Sequence, residues 1–417
     1  QQLRTLILQH SELASLPTDI GLLKNLEELD LSLNLINKLP ESFGQLKSLQ
    51  SLDLRQNGLY KLPEGFGQLE NLEELNLSLN ILDSLPKTFE QLQNLKKLEL
   101  YSNSFTILPE GITQLKNLSE LYIFNNDISI LPENFGQLQN LNKLILSGNS
   151  LTSLPESFGQ LQNLRLLELS DNSLTSLQEN FGELKNLQEL HLNKNSLNGL
   201  PKNFNQLKEL VILDLANNSL NSLPENIGQL TSLSKLLLAN NSLSTLPEST
   251  SQLTKTQIYS LGSNPIDWLP AKVIQARIID YVILSGFLEE CAKQQNWEFA
   301  QHIRQNIINY PLTTEDFFNL SWWLVNCQDY EGAIWAGEAY VAGGGSDVGA
   351  LSNLAMGYLY SGQEEKAMNI YEAHLNIEGV DNQTNRKIFF QDLLDTNHLE
   401  VKDKEAVARV RAFLNDS

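Results

Sequence analysis

Three groups of residues have types and spacings that could carry chemistry. Tyr101 and Phe124 stand 23 residues apart, Tyr122 lies two before Phe124, and Lys97, Glu99, Glu120 and Asn125 surround them. Aromatic rings with a polar and charged rim are the usual make-up of a protein or peptide anchor. The plainer reading is that cross-strand aromatic pairs stabilise a sheet. His191 falls 23 residues after Glu168 and 23 before Asp214, with Glu189 two positions away. Those are donor types a transition metal accepts, and they equally suit a solvated charge cluster, which is the reading we adopt. In Cys327-Gln328-Asp329 a carboxylate follows a thiol by two residues. This could make a covalent nucleophile, or a small buried residue at a helix end. His10, His191, His302, His374 and His398 show no HExxH spacing, and there is neither a G-x-S-x-G elbow nor a phosphate loop. Gly343-Gly344-Gly345-Ser346 is not followed by Lys-Ser or Lys-Thr and reads as a linker. The sequence therefore predicts no catalytic, cofactor or metal site, and one partner-binding surface built from Tyr101, Tyr122, Phe124, Lys97, Glu99, Glu120 and Asn125.

A 23-residue period positions these groups. Leu-Pro recurs from Pro17, Pro40 and Pro63 onward to Pro270, with Gln178 in the one slot that lacks proline. An asparagine keeps the same period from Asn34 to Asn264, and Ser11 takes its place in the first unit. One unit reads Leu141-x-x-Leu144-x-Leu146-x-x-Asn149-x-Leu151-x-x-Leu154-Pro155-x-x-Phe158-Gly159-x-Leu161. Leu144 and Leu146 alternate with period two, so both face one side of a short strand while Lys143, Ile145 and Ser147 face the other. The asparagine amide can satisfy backbone groups in the tight turn that follows, which predicts a structural ladder. Proline, lacking a donor, is expected to close the strand side. Phe43, Phe66, Phe89, Phe135, Phe158, Phe181 and Phe204 should stack inside the opposite wall, with Ile20, Ile112 and Ile227 filling the gaps.

This pattern resembles the leucine-rich repeat family in its 23-residue bacterial and plant-like form, over roughly residues 1–270. The resemblance implies an α/β fold: a right-handed solenoid with one parallel strand per unit, curved into a horseshoe. It also implies that residues flanking the strand leucines form a concave face that binds a protein or peptide. Leu3, Leu6 and Leu8 already occupy repeat positions, so a cap, further repeats or a signal peptide is expected before Gln1.

After Pro270 the period changes. Ala300, Ala333 and Ala367 recur 33 and 34 residues apart within helical spacing, and the best unit is Leu351-x-x-Leu354-Ala355-x-x-Tyr358, Gly362, Ala367-x-x-x-Tyr371. This looks like a tetratricopeptide-type helical hairpin, so residues 271–417 are expected to form an all-α domain of antiparallel helix pairs. Gly337 and Arg304 stand where that pattern prefers an aromatic, and residues 386–414 should form a closing pair.

Composition bounds the function. Hydrophobic residues make up 41% of the 417 and charged residues 19%, which suits a folded chain rather than a disordered one. A net charge of -21 repels polyphosphate backbones, so nucleic acid is excluded as a partner, and no apolar run is long enough to span a bilayer. The oligomeric state is left open. Two cysteines cannot build a disulfide framework, which favours a bacterial or intracellular setting over a secreted one. The reading is a non-enzymatic interaction scaffold for a protein or peptide ligand. Two alternatives stand beside it: an effector with ubiquitin-ligase-like activity through Cys327, because some bacterial effectors join such repeats to a Cys-x-Asp ligase domain, and a secreted or surface adhesive repeat protein.

Overall fold

The computed structural model describes residues 3–415 except 278, 280, 295, 308–309, 311, 376–387, 390 and 394–402. The chain divides into two compact units, Gln1–Pro265 and Ile266–Ser417. In the first, twelve short strands form one parallel sheet in sequence order. They are β1 (Thr5–Ile7), β2 (Glu28–Asp30), β3 (Ser51–Asp53), β4 (Glu74–Asn76), β5 (Lys97–Glu99), β6 (Glu120–Tyr122), β7 (Lys143–Ile145), β8 (Leu166–Glu168), β9 (Glu189–His191), β10 (Ile212–Asp214), β11 (Lys235–Leu237) and β12 (Gln257–Ser260). The repeat sets the register, so that Leu121 pairs with Leu98 on one side and Leu144 on the other. Each strand from β2 to β11 buries its middle leucine and turns its first and third residues outward, as in β7.

Opposite the sheet, each repeat makes a short 3-10 turn such as Glu41–Gln45 or Glu156–Gln160. The phenylalanines stack there: Phe43–Phe66 and Phe66–Phe89 at 6.2 Å, then Phe135–Phe158 at 6.0 Å, with buried Ile112 interrupting the column. Burying each ring contributes roughly 1.5–3 kcal/mol. The prolines are not on the strand side, which corrects that expectation. Each from Pro17 to Pro247 leads into a 3-10 turn, where its fixed φ suits an extended entry and its carbonyl accepts the first bond of the turn, as Phe43 N–H donates to Pro40 O at 2.9 Å. Gln178 adopts the same backbone, φ -71 and ψ 157, which is why the slot tolerates it.

The asparagine ladder runs between neighbouring repeats. Asn80 Oδ1 accepts Leu59 N–H from the repeat before it at 3.0 Å, while its Nδ2 donates to Leu54 O and Leu77 O, each at 3.0 Å. The residue before each ladder asparagine is left-handed whatever its type: Leu33, Gln56, Leu79, Ser102, Asn125, Asp171 and Lys194 all have φ between 53 and 58. Such a backbone is strained for Leu or Gln, and the bonds made by the next residue hold it there.

The second unit is helical: α1 (Ala271–Gln275), α2 (Tyr281–Gln294), α3 (Trp297–Ile307), α4 (Thr314–Asn326), α5 (Tyr330–Ala342), α6 (Val348–Tyr360), α7 (Glu364–Leu375) and α8 (Lys404–Asn415). Ala300, Ala333 and Ala367, each near the start of α3, α5 and α7, are fully buried. Gly337 replaces an aromatic because α5 and α6 touch there: a Cβ on it would lie 2.7 Å from Leu354 Cβ. Gly362, with φ +86, turns the chain between α6 and α7. Thr313 and Asp316 cap α4 reciprocally. Much of the first helix expected in the closing pair lies outside the described residues.

Candidate functional site

Strands β5–β7 place the aromatic residues. Tyr122 closes β6 and pairs in register with Glu99 and Ile145, while Tyr101 and Phe124 stand two residues beyond the ends of β5 and β6, in the next outward row. They do not merge into one exposed cluster. Tyr101 and Phe124 stack against each other, centroids 4.3 Å apart and planes 6° apart, and both are half-buried. Tyr122 belongs to a separate set, with Lys97 Nζ 5.6 Å and Lys143 Nζ 5.1 Å from its ring centroid. Its hydroxyl donates to Glu120 Oε2 at 2.7 Å, and Lys97 pairs with Glu99 at 2.8 Å. Burial, with help from the Glu120 carboxylate, pushes the Tyr122 hydroxyl well above its ordinary pKa, and the bond to Glu99 raises that of Lys97. The phenol therefore stays protonated at neutral pH, and the ring has the Nζ atoms of Lys97 and Lys143 beside it, an arrangement suited to contact with polar and apolar groups of a ligand. Asn125 sits at the edge of this face, in the left-handed turn.

His191 lies in register with Glu168 and Asp214, but two of these carboxylates are turned to their own backbone. Glu168 accepts Ser170 N–H and Asp214 accepts Ala216 N–H, each at 3.0 Å. Among the described residues no group of three such side chains could hold a metal ion. The Cys327-Gln328-Asp329 set is taken up structurally. Asp329, 4% exposed, pairs with Arg304 at 2.5 Å and caps α5 by accepting Gly332 N–H. That pairing also accounts for arginine in the slot where an aromatic was expected. Cys327 is buried, its Sγ–H directed at Leu288 O at 3.4 Å, and burial drives its pKa far above the ordinary thiol range; burial pushes Cys291 up to about 12. A thiol so placed presents almost no thiolate at neutral pH. Neither cysteine of the native chain should react with a maleimide within an hour at pH 7, and both should react in denaturant. Mass spectrometry reads the result, and rapid native labelling of Cys327 would restore it as a nucleophile candidate.

Sequence reasoning missed three features. The outward carboxylate row is itself part of the fold: Asp30 and Asp53 each accept the backbone N–H two residues on, at 2.9 and 2.8 Å. A second asparagine ladder stands on the wall of 3-10 turns, where Asn71, Asn94, Asn117 and Asn140 donate to carbonyls 24 residues back at 2.7–2.8 Å. Its period was visible in the sequence. Leu35, Leu79 and Ile81 are exposed beside Gly58 along the turn edge, at positions where later repeats carry Ser104, Asn125 and Asp127, and that contrast was the available signal.

The comparisons with known proteins converge on the first unit. A leucine-rich repeat region model matches residues 1–98 and 156–245, and a second leucine-rich repeat model matches 70–128 and 129–174. A leucine-rich repeat protein of Leptospira interrogans is similar at 38% identity and TM-score 0.54, over 64% of this chain and 74% of its own. A plant peptide hormone receptor in complex with RGF2 is similar at 27% identity and TM-score 0.57, over 67% of this chain and 50% of its own. The PEPR1-AtPEP1 structure is similar at 30% identity and TM-score 0.59, over 66% and 41%. No curated protein matches the chain.

Proposed function

Since the chain belongs to the leucine-rich repeat family, we propose that it is a non-enzymatic recognition protein whose strand face binds a protein or peptide around Tyr101, Tyr122 and Phe124, with Lys97, Glu99, Glu120 and Asn125 as the rim. One observation carries this reading. Strands β5–β7 bring three aromatic rings to the outward side of the sheet, where the core makes no use of them, and surround Tyr122 with two cations and a carboxylate. Aromatic side chains of this kind dominate interface energetics. A similar fold in a plant peptide hormone receptor holds RGF2, which supports a peptide as one ligand class. We further read the helical unit as a tetratricopeptide-like stack beginning after Pro270, supported by the buried alanine at one recurring position of α3, α5 and α7, and assign it a scaffolding role.

The test is capture of partners from lysate by the intact chain and by the Tyr101→Ala/Tyr122→Ala/Phe124→Ala variant side by side. Because Tyr101 and Phe124 are half-buried against each other, thermal unfolding must accompany it. The expected outcome is a partner held by the intact chain and bound about tenfold or more weaker by the variant, with the melting transition of the array retained. Equal capture by both would remove this face as the binding surface.

A further inference from the structure

The strand-face reading leaves the chemistry of the ligand open, and the charge along the sheet bears on it. Strands β2–β4 carry Glu28, Asp30, Asp53 and Glu74 and no lysine or arginine; strands β8–β10 carry Glu168, Glu189 and Asp214 and again no lysine or arginine. Between these two acidic blocks lie β5–β7 with the aromatic rings, where Lys97 is bound to Glu99 and both Lys97 and Lys143 face Tyr122. Among the described residues, Asp30, Glu74, Glu168, Glu189 and Asp214 form no ion pair; Asp53 alone of the two blocks has one, with Arg55 at 3.6 Å. Several of these carboxylates are also held still, because Asp30, Glu168 and Asp214 accept their own backbone N–H groups. A fixed charge loses little side-chain freedom when a partner arrives.

On the strand-face reading, we propose that the ligand is an extended basic peptide that crosses the strands, placing an apolar residue against Tyr101, Tyr122 and Phe124 and lysine or arginine on both sides of it. Spacing makes this specific. From β6 to β3, or from β6 to β9, is three strand steps of about 4.8 Å, roughly 14 Å. An extended chain advances about 3.3 Å per residue, so the basic residues fall about four positions to either side of the apolar one. The surplus carboxylates would steer such a peptide in and repel an acidic one.

A random library of peptides about 13 residues long, displayed on phage and panned against the full chain, tests this. Selected peptides should carry Lys or Arg on both sides of an apolar residue. As synthetic fluorescent peptides they should bind about tenfold weaker to an Asp30→Asn/Glu74→Gln variant and to a Glu168→Gln/Asp214→Asn variant, and weaken as salt rises. The amides keep an oxygen for the backbone bonds, and Glu74→Gln alone, at an exposed position, serves if a double variant fails to fold. Selected peptides that are neutral or acidic, that ignore the charge changes but are lost with the three aromatics, would overturn the charge proposal and leave the strand-face reading standing. Peptides indifferent to both sets of changes, or no selection above background, would overturn both.

Discussion

Replacing Asn80 by alanine should destabilise the repeat unit by about 3–5 kcal/mol, measured as a fall in the urea midpoint with little change in slope. The residue is 7% exposed, and its amide spans two repeats. Its loss orphans Leu59 N–H and takes one of two amide donors from Leu54 O and from Leu77 O, which keep Asn57 and Asn103, and the sites of these bonds are buried from water. The orphaned N–H costs about 1–3 kcal/mol and each of the two lost carbonyl bonds about 0.5–1.5 kcal/mol, and a methyl group refills little of the space. Asn80→Asp should be no better, since a carboxylate keeps the acceptor but turns a second oxygen toward two carbonyls. The outer ladder provides the contrast. Asn71 donates to Lys47 O at 2.8 Å in an exposed setting, where water can replace the amide, so Asn71→Ala should cost under about 1 kcal/mol. Equal losses at Asn80 and Asn71 would mean that burial is not what gives the inner ladder its weight.

Gly67→Ala should cost about 3 kcal/mol, at the upper end of what overpacking a well-filled interior does. A Cβ on Gly67 would overlap the carbonyl of Thr88 in the next 3-10 turn and lie 2.7 Å from Thr88 Cβ. A backbone carbonyl cannot swing aside as a flexible side chain can, so the two repeats must separate, loosening the contact of Phe66 with Phe89 that their 6.2 Å spacing sets. Glycine is required at this position for close approach. Glu90 occupies the equivalent place one repeat on and is accommodated because Gly111 faces it, with Glu90 Cβ 3.5 Å from where a Gly111 Cβ would be. Gly111→Ala should therefore be close to neutral. The comparison is read by thermal or urea unfolding, and a Gly67→Ala chain as stable as the native one would show that the turns are not packed at the limit.

The strands, the inner ladder and the phenylalanine stack were legible in the sequence because each depends on one residue type recurring at one period. Leu121, Asn80 and Phe158 each stand in such a column. Features that do not depend on side-chain identity were hidden. The left-handed position before each ladder asparagine is Leu33 in one repeat, Gln56 in the next and Lys194 in another, since neighbouring bonds and not local preference impose it. Proline was placed on the wrong wall because the argument that it cannot donate to a strand says where it is not, without saying where it goes; its fixed φ and free carbonyl decide that. The aromatic residues were found by their types, but their division into the Tyr101–Phe124 stack and a Tyr122 enclosed by Lys97 and Lys143 depends on rotamers that column arithmetic does not reach. In the helical unit, Asp329 beside Cys327 looked like catalytic equipment until its bonds to Arg304 and to the start of α5 were seen.

The most direct test of the strand face as the recognition surface is site-specific photo-crosslinking to a captured partner. A photoreactive phenylalanine analogue is placed at Phe124 in one protein and at Gln139, exposed on the wall of 3-10 turns, in another. The account predicts a covalent adduct from position 124 that an excess of unlabelled chain competes away, and none from position 139. An adduct from position 139 with none from position 124 would contradict it and move recognition to the opposite wall.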